Sequence, residues 1–92
     1  MGDRGIFICV EGLDGCGKTT QAKLLVKRLR GDHDAVFTAE PSDGKIGKLI
    51  KKHYLHADKR GSAVVEALLF AADRLEHLKS EVLPALDQGK LV

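Results

Sequence analysis

Apolar residues along this chain fall into short continuous runs and longer stretches with helical spacing. Residues 6–10 and 35–39 form continuous runs rich in β-branched and aromatic side chains, which predicts strands buried on both faces of a parallel sheet. Residues 91–92 resemble the first two residues of a third such strand. The order of strand, helix, strand, helices and strand predicts an α/β fold.

One shorter helix is predicted between the first two runs, and another is predicted after the second run. The first begins near Lys18 and ends at Gly31, with apolar residues at helical spacing between them: Ala22, Leu25, Val26 and Leu29. Residues 40–44 are a cluster of turn-forming residues, and residues 58–61 are predicted to form a loop. The helix between them has a lysine-rich face and an apolar face: Ile46, Leu49 and Ile50.

The longest helical pattern covers residues 62–83. Apolar residues spaced alternately by four and three positions form a stripe that we call the apolar seam: Val64, Leu68, Ala71, Leu75, Leu78 and Val82. The seam is predicted to face the core, and a dimer-forming helix is the alternative interpretation. Pro84 is expected to end or kink this helix, and Gly89 to close the segment that follows.

Residues 12–19 match the phosphate-loop pattern G-x-x-x-x-G-K-[ST] in full: Gly12, Leu13, Asp14, Gly15, Cys16, Gly17, Lys18 and Thr19. Glycines permit the positive φ angles that turn backbone N–H groups inward around phosphate oxygens, and the following helix directs its positive end at the same anion. Lys18 is the catalytic candidate, as a cation for the β- and γ-phosphates, and the Thr19 hydroxyl is suited to coordinate Mg²⁺. Thr20 completes the predicted phosphate-binding set. The pattern predicts binding of a nucleoside triphosphate with magnesium.

Composition limits the alternatives. Ninety-two residues, 43 % hydrophobic and 30 % charged, predict a single globular domain over residues 1–92. A net charge of +2 is too mild to indicate nucleic acid or an anionic membrane as partner, and no apolar run is long enough to span a membrane. The basic residues between positions 45 and 60 are interpreted as a solvated helix face. With only Cys9 and Cys16, a disulfide framework is not expected, and we predict a cytoplasmic protein.

Three segments resemble thymidylate kinases. E-G-L-D-G-C-G-K-T-T-Q at residues 11–21 resembles their phosphate-loop signature, T-A-E-P at 38–41 resembles their T-R-E-P segment, and L-L-F-A-A-D-R at 68–74 resembles their L-L-F-x-A-x-R helix. These motifs occur in the family's order and extend over most of the chain. The resemblance implies a three-layer fold of the P-loop NTPase type, transfer of the ATP γ-phosphate to dTMP to give dTDP, and a homodimer in the full-length form.

The resemblance also implies a substrate-binding set. Asp14 would contact the deoxyribose 3′-hydroxyl, and Phe70 would stack on thymine. Arg74 would hydrogen-bond the base, whereas Glu40 and Pro41 would line the monophosphate side. Phe70 and Arg74 are one helical turn apart, on a flank beside the seam. From the residues alone, core packing for Phe70 and a surface ion pair for Arg74 remain open, with these partners: Glu66, Asp73 or Asp87.

The chain also departs from the family pattern. No aspartate follows a buried strand, and the family's Asp-Arg-Tyr segment, arginine-bearing lid and adenine-binding region are not found. Gly15 resembles the members that take the catalytic arginine from the lid, and Ala39 stands where many relatives have Arg. We therefore expect the N-terminal part of a kinase domain with an incomplete sheet. In the family's sheet the third strand lies between the first two, and residues 91–92 are expected to be too few to pair there.

The 92 residues alone are accordingly expected to be marginally stable and inactive, and dTMP-dependent ATP turnover at a normal rate would contradict this. Two other functions remain open from the sequence. Another P-loop nucleotide or small-molecule kinase would differ in acceptor preference. A non-catalytic nucleotide-binding or interaction module would bind ATP tightly without binding dTMP.

Overall fold

The computed structural model describes residues 4–13, 15–53 and 62–92. Within these ranges the helices are α1 (Lys18–Leu29), α2 (Lys45–His53), α3 (Ala63–His77) and α4 (Leu83–Asp87), with a π-helical turn at Leu78–Val82. The chain divides into two compact units. The first unit contains the described residues up to Thr38 together with Val82–Val92, and the second is Ala39–Glu81.

In the first unit, Leu91 lies between two extended segments. It forms parallel bridges with Ile6 on one side and with Ala35 on the other. The Val92 N–H donates to the Ile6 carbonyl at 2.9 Å, and the Val36 N–H donates to the Leu91 carbonyl at 2.8 Å. The expectation that these last two residues are too few to pair is therefore wrong, because two residues suffice for backbone hydrogen bonds on both sides.

The predicted strands at residues 6–10 and 35–39 do not form regular strands in the described part of the chain, where the parallel pairing consists of isolated bridges. A ladder needs several consecutive pairs along a neighbouring segment, and Leu91 and Val92 supply only two residues. Burial differs from the prediction as well. Ile6 is 60 % exposed, so the first segment is not covered on both faces by the described residues.

Helix α1 connects the phosphate loop to the second extended segment. Its N-cap is Gly17, with φ 87°, a left-handed conformation that glycine adopts without steric penalty. The helix ends at Leu29, close to the predicted stop at Gly31. Just after the helix, the Arg30 Nε donates to the Ala35 carbonyl at 3.0 Å. This hydrogen bond joins the end of α1 to the second extended segment.

In the second unit, α2 packs against α3. Ile50 is fully buried, whereas Leu49 is 42 % exposed, so only part of the predicted apolar face of α2 is covered. Gly47 is buried too, and a Cβ there would clash with the Ser42 carbonyl oxygen. Glycine at this position therefore allows the helix to approach that backbone closely. The loop predicted at residues 58–61 lies outside the described residues.

The face of α3 that is buried is not the apolar seam. Leu68 is 66 % exposed, and Val64 and Leu75 are similarly exposed, whereas Asp73 and His77 are buried. The prediction that the seam faces the core is therefore wrong for the greater part of the helix. The physical reason is that Ser42 and Glu40 hydrogen-bond to the opposite, polar face of α3.

Pro84 does not end the helix, because α-helix continues past it to Asp87. The winding changes to a π-helical turn over Leu78–Val82 and then returns to α-helix at Leu83–Asp87. Pro84 has no N–H to donate to the carbonyl four residues earlier, and this altered turn directly precedes it. Gly89 follows with φ 80°, and its N–H donates to the Leu86 carbonyl at 3.0 Å, in agreement with its predicted closing role.

Candidate functional site

The phosphate loop leads directly into α1. Gly15 and Gly17 both have positive φ, at 78° and 87°, which is the backbone conformation expected of a loop that turns its N–H groups inward. The Lys18 Nζ donates to the Gly12 carbonyl at 3.0 Å, so the lysine side chain folds back across the loop. The Cys16 N–H closes a turn by donating to the Leu13 carbonyl at 3.2 Å.

An open depression lies at the N-terminal end of α1, lined by Gly15, Gly17, Lys18, Thr19 and Thr20. Five members of the predicted phosphate-binding set therefore surround one helix terminus, where N–H groups and the helix dipole favour an anion. Gly12, Leu13 and Cys16 are described but are not among the residues that line the depression. Asp14, predicted to bind phosphate and deoxyribose, lies outside the described residues.

The donor chemistry of this depression suits a magnesium–phosphate complex better than a bare ion. Among the described residues, no group of three or more His, Cys, Asp or Glu side chains could hold a metal. Thr19 offers one hydroxyl, and Mg²⁺ in phosphate-binding sites takes its remaining oxygen ligands from phosphates and water. Thr19 as a magnesium ligand stays a prediction.

A second group of predicted residues lies in the other unit. Glu40 and Arg74 are 34 positions apart in sequence, yet both the Nε and Nη2 of Arg74 lie 2.9 Å from the Glu40 Oε1. Pro41 follows Glu40 directly, and Phe70 lies one turn before Arg74 on α3, with its side chain partly exposed. The structure thus gives Arg74 an ion pair with Glu40, which was not among the partners considered from the sequence.

Three buried polar residues were missed as site residues. Asp73 is fully buried, and it accepts hydrogen bonds from Ser42, which is buried as well. His77, 4 % exposed, contacts Glu40 through its Nδ1 at 2.9 Å. The available signal was the spacing of Asp73 and His77, four positions apart on the face opposite the seam. That spacing alone does not indicate burial, because an apolar stripe normally identifies the buried face of a helix.

The charge state of Glu40 follows from these neighbours. Partial burial raises the pKa of Glu40, but hydrogen bonds from Arg74 and His77, together with their charges, outweigh that effect and hold the pKa below its ordinary value. The carboxylate is therefore ionised at neutral pH and available to hold the Arg74 guanidinium.

This pKa shift predicts an acid-sensitive contact. Because the pKa of Glu40 is lower in the folded protein than in the unfolded chain, its stabilising contribution is present above about pH 4.5, the ordinary glutamate value, and is lost as the pH falls through the lower folded value. Arg74→Met is expected to raise the pKa of Glu40, measured by NMR titration of its side-chain carboxyl carbon. The control is Lys79→Met, on the exposed surface beyond α3. An unchanged titration in Arg74→Met would show that the guanidinium does not set this pKa.

No helix in the described ranges is both long enough and apolar enough to cross a membrane. Both cysteine thiols, those of Cys9 and Cys16, are free and exposed.

Two solved structures define the class of fold. A thymidylate kinase structure from Ehrlichia chaffeensis superposes with a TM-score of 0.86 at 34 % identity, covering 97 % of this chain and 50 % of that one. A thymidylate kinase structure from Candida albicans gives a TM-score of 0.80, also at 34 % identity, covering 99 % of this chain and 39 % of the other. The fold is that of the P-loop kinases.

A family model described as thymidylate kinase matches residues 10–92. The chain belongs to the thymidylate kinase family. A probable thymidylate kinase of Pyrococcus horikoshii is 49 % identical, with 97 % of this chain and 46 % of the relative covered. A thymidylate kinase of Halothermothrix orenii is 47 % identical, with 97 % and 44 % covered. The chain therefore spans less than half the length of these curated relatives.

Proposed function

We propose that the protein carrying this chain transfers the γ-phosphate of ATP to dTMP, giving dTDP and ADP. The observation that carries the proposal is the family match over residues 10–92, which includes both the phosphate loop and α3. The geometry of the loop supports it, because the lysine and hydroxyl side chains that phosphoryl transfer needs lie together at one helix terminus.

The residues of the loop would act on the triphosphate. Backbone N–H groups of residues 12–20 would bind phosphate oxygens, and Lys18 would neutralise charge on the β- and γ-phosphates. Thr19 would hold Mg²⁺, which would neutralise the negative charge that develops on the phosphates. Asp14 would contact the deoxyribose 3′-hydroxyl of dTMP.

The residues of the second unit would bind the acceptor. Phe70 would stack on thymine and Arg74 would donate hydrogen bonds to it, while Glu40 and Pro41 would line the monophosphate side. The partly exposed Phe70 ring supports this role, because a stacking residue must keep one face open to its ligand. The Glu40 carboxylate supports the role of Arg74, because it holds the guanidinium in one orientation before any ligand binds.

Acceptor preference tests the proposal. The full-length gene product is expected to phosphorylate dTMP with a kcat/KM at least about tenfold above its values for dUMP, dCMP and AMP. Phe70→Leu should raise the KM for dTMP by about tenfold, since stacking on an aromatic ring contributes on the order of 1–3 kcal/mol per base. Val65→Ala, an exposed position on α3, is the control. Preference for another monophosphate would identify a different nucleotide kinase, and ATP binding without acceptor turnover would identify a binding module.

We also propose that the full-length protein is a homodimer that uses the apolar seam. The exposure of Val64, Leu68 and Leu75 supports this, because three large apolar side chains on one helix face form a surface suited to association. Leu68→Asp should convert the dimer into monomer in sedimentation velocity, and an unchanged sedimentation coefficient would argue against the seam as the dimer interface.

We propose a cytoplasmic location because both thiols are free. We propose no nucleic-acid or membrane partner because the net charge is mild.

A further inference from the structure

One face of α3 carries two buried polar residues in adjacent turns. Asp73 and His77 are four positions apart, so their side chains lie one above the other along the helix. Both reach residues 40–42, the short segment that contains Glu40 and Pro41. A buried carboxylate and a buried imidazole are costly to desolvate unless they form well-directed hydrogen bonds, so their partners indicate what the pair holds in place.

Asp73 holds the backbone of this segment at Ser42. Its Oδ2 accepts from the Ser42 N–H at 2.8 Å, and its Oδ1 accepts from the Ser42 hydroxyl at 2.5 Å. The same hydroxyl oxygen accepts from the Gly44 N–H at 3.1 Å. Both the main chain and the side chain of Ser42 are therefore tied to one carboxylate, which fixes where the segment lies on the helix.

His77 holds the other end of the segment at Glu40. Its Nδ1 lies 2.9 Å from the Glu40 Oε2, and because a carboxylate accepts, this contact requires the ring proton on Nδ1. The Nε2 lies 3.4 Å from the Glu81 Oε2. The second oxygen of Glu40 receives the Arg74 guanidinium. Each carboxylate oxygen of Glu40 thus has its own partner, and rotation of the carboxylate would break one of these two contacts.

We propose that Asp73 and His77 are positioning residues: by holding Ser42 and Glu40 against α3, they fix the orientation of the Arg74 guanidinium for the nucleotide that Arg74 binds. The inference rests on the proposed function for the role of Arg74. In this arrangement, Arg74 is oriented before the ligand arrives, which reduces the entropy lost on binding. Removing either residue leaves Arg74 in the protein but lets it adopt several orientations.

The expected kinetic signature is specific. Arg74 would bind a part of the acceptor that does not react, so its contact is equally strong in the ground state and the transition state. Loss of its orientation should therefore raise KM for dTMP while leaving kcat and the KM for ATP nearly unchanged. A residue needed only for stability would behave differently. Its loss would lower the fraction of active molecules, and hence the apparent kcat, at an unchanged KM.

The experiment compares His77→Ala and Asp73→Ala with their closest isosteric replacements in the full-length gene product. Each alanine variant is expected to raise KM for dTMP by about tenfold, with kcat within about twofold of the native value. His77→Asn places an amide N–H near the position of Nδ1, and Asp73→Asn retains an acceptor for Ser42. Both should return KM to within about threefold of the native value. His53→Ala and Asp32→Ala, at exposed positions, are the matched controls.

A second measurement separates this inference from the proposed function. Hydrogen exchange of the Arg74 Nε–H with water, followed by NMR, reports how firmly Glu40 holds the guanidinium, with no substrate needed. Exchange at least about tenfold faster in His77→Ala and Asp73→Ala, in fully folded protein, would support positioning even if dTMP proved not to be the acceptor. Unchanged exchange, or a lower kcat at unchanged KM with no recovery in the asparagine variants, would overturn the inference.

Discussion

Lys18→Ala is expected to reduce phosphoryl transfer by the full-length gene product by about 10²–10³-fold in kcat. The removed ammonium group lies in the depression at the start of α1, folded across the loop onto the Gly12 carbonyl. A fixed charge that meets negative charge developing in the transition state contributes far more to kcat than to ground-state binding. Steady-state kinetics at saturating ATP and dTMP measure this effect directly.

Lys27→Ala is the matched control, because Lys27 is exposed in the last turn of the same helix. It should retain kcat within about twofold. Lys18→Arg should also be strongly impaired, since a planar guanidinium does not reproduce a compact ammonium in a closely fitting loop. Circular dichroism establishes that the variants are folded. Turnover by Lys18→Ala within tenfold of the native rate would show that this lysine does not act on the transferring phosphate.

The second large effect is on stability. Ile50→Ala is expected to lower the free energy of unfolding by about 2–5 kcal/mol, because it removes three carbon atoms from a fully buried side chain and leaves a cavity beside α3. Leu49→Ala, at the neighbouring exposed position, should cost less than about 1 kcal/mol. Urea denaturation of the full-length gene product, analysed by linear extrapolation, measures both values. Equal losses for the two variants would contradict the burial described for α2.

Features that depend on local sequence were predictable. The phosphate loop and the start of α1 follow from glycine conformation and helix-terminus chemistry within a few consecutive residues, and the structure places them as expected. Helix α2 was also located correctly, since the turn-forming cluster precedes it and the apolar spacing continues through Ile50. In each case, the determining interactions lie within one or two turns of the chain.

Features that depend on distant contacts were predicted less well. Apolar stripes usually face the core, so the sequence predicts that the seam on α3 is buried. Instead, Asp73 and His77 on the opposite face are buried by partners some thirty positions earlier in the chain. Glu40 and Arg74 were both named as substrate-binding candidates, yet nothing in their local sequence indicates that they pair with each other. Helical spacing identifies which residues share a face and cannot identify what covers it.

The parallel bridges of Leu91 have a consequence for the order of folding. They join Leu91 to Ile6 and Ala35, which come much earlier in the sequence, so the first unit cannot close until the long loop between them has been ordered. The second unit is a continuous stretch, Ala39–Glu81, whose contacts are closer in sequence. Short-range contacts form faster than long-range ones. During synthesis, the network around Glu40 can therefore form once His77 has emerged from the ribosome, before Leu91 emerges and pairs with Ile6.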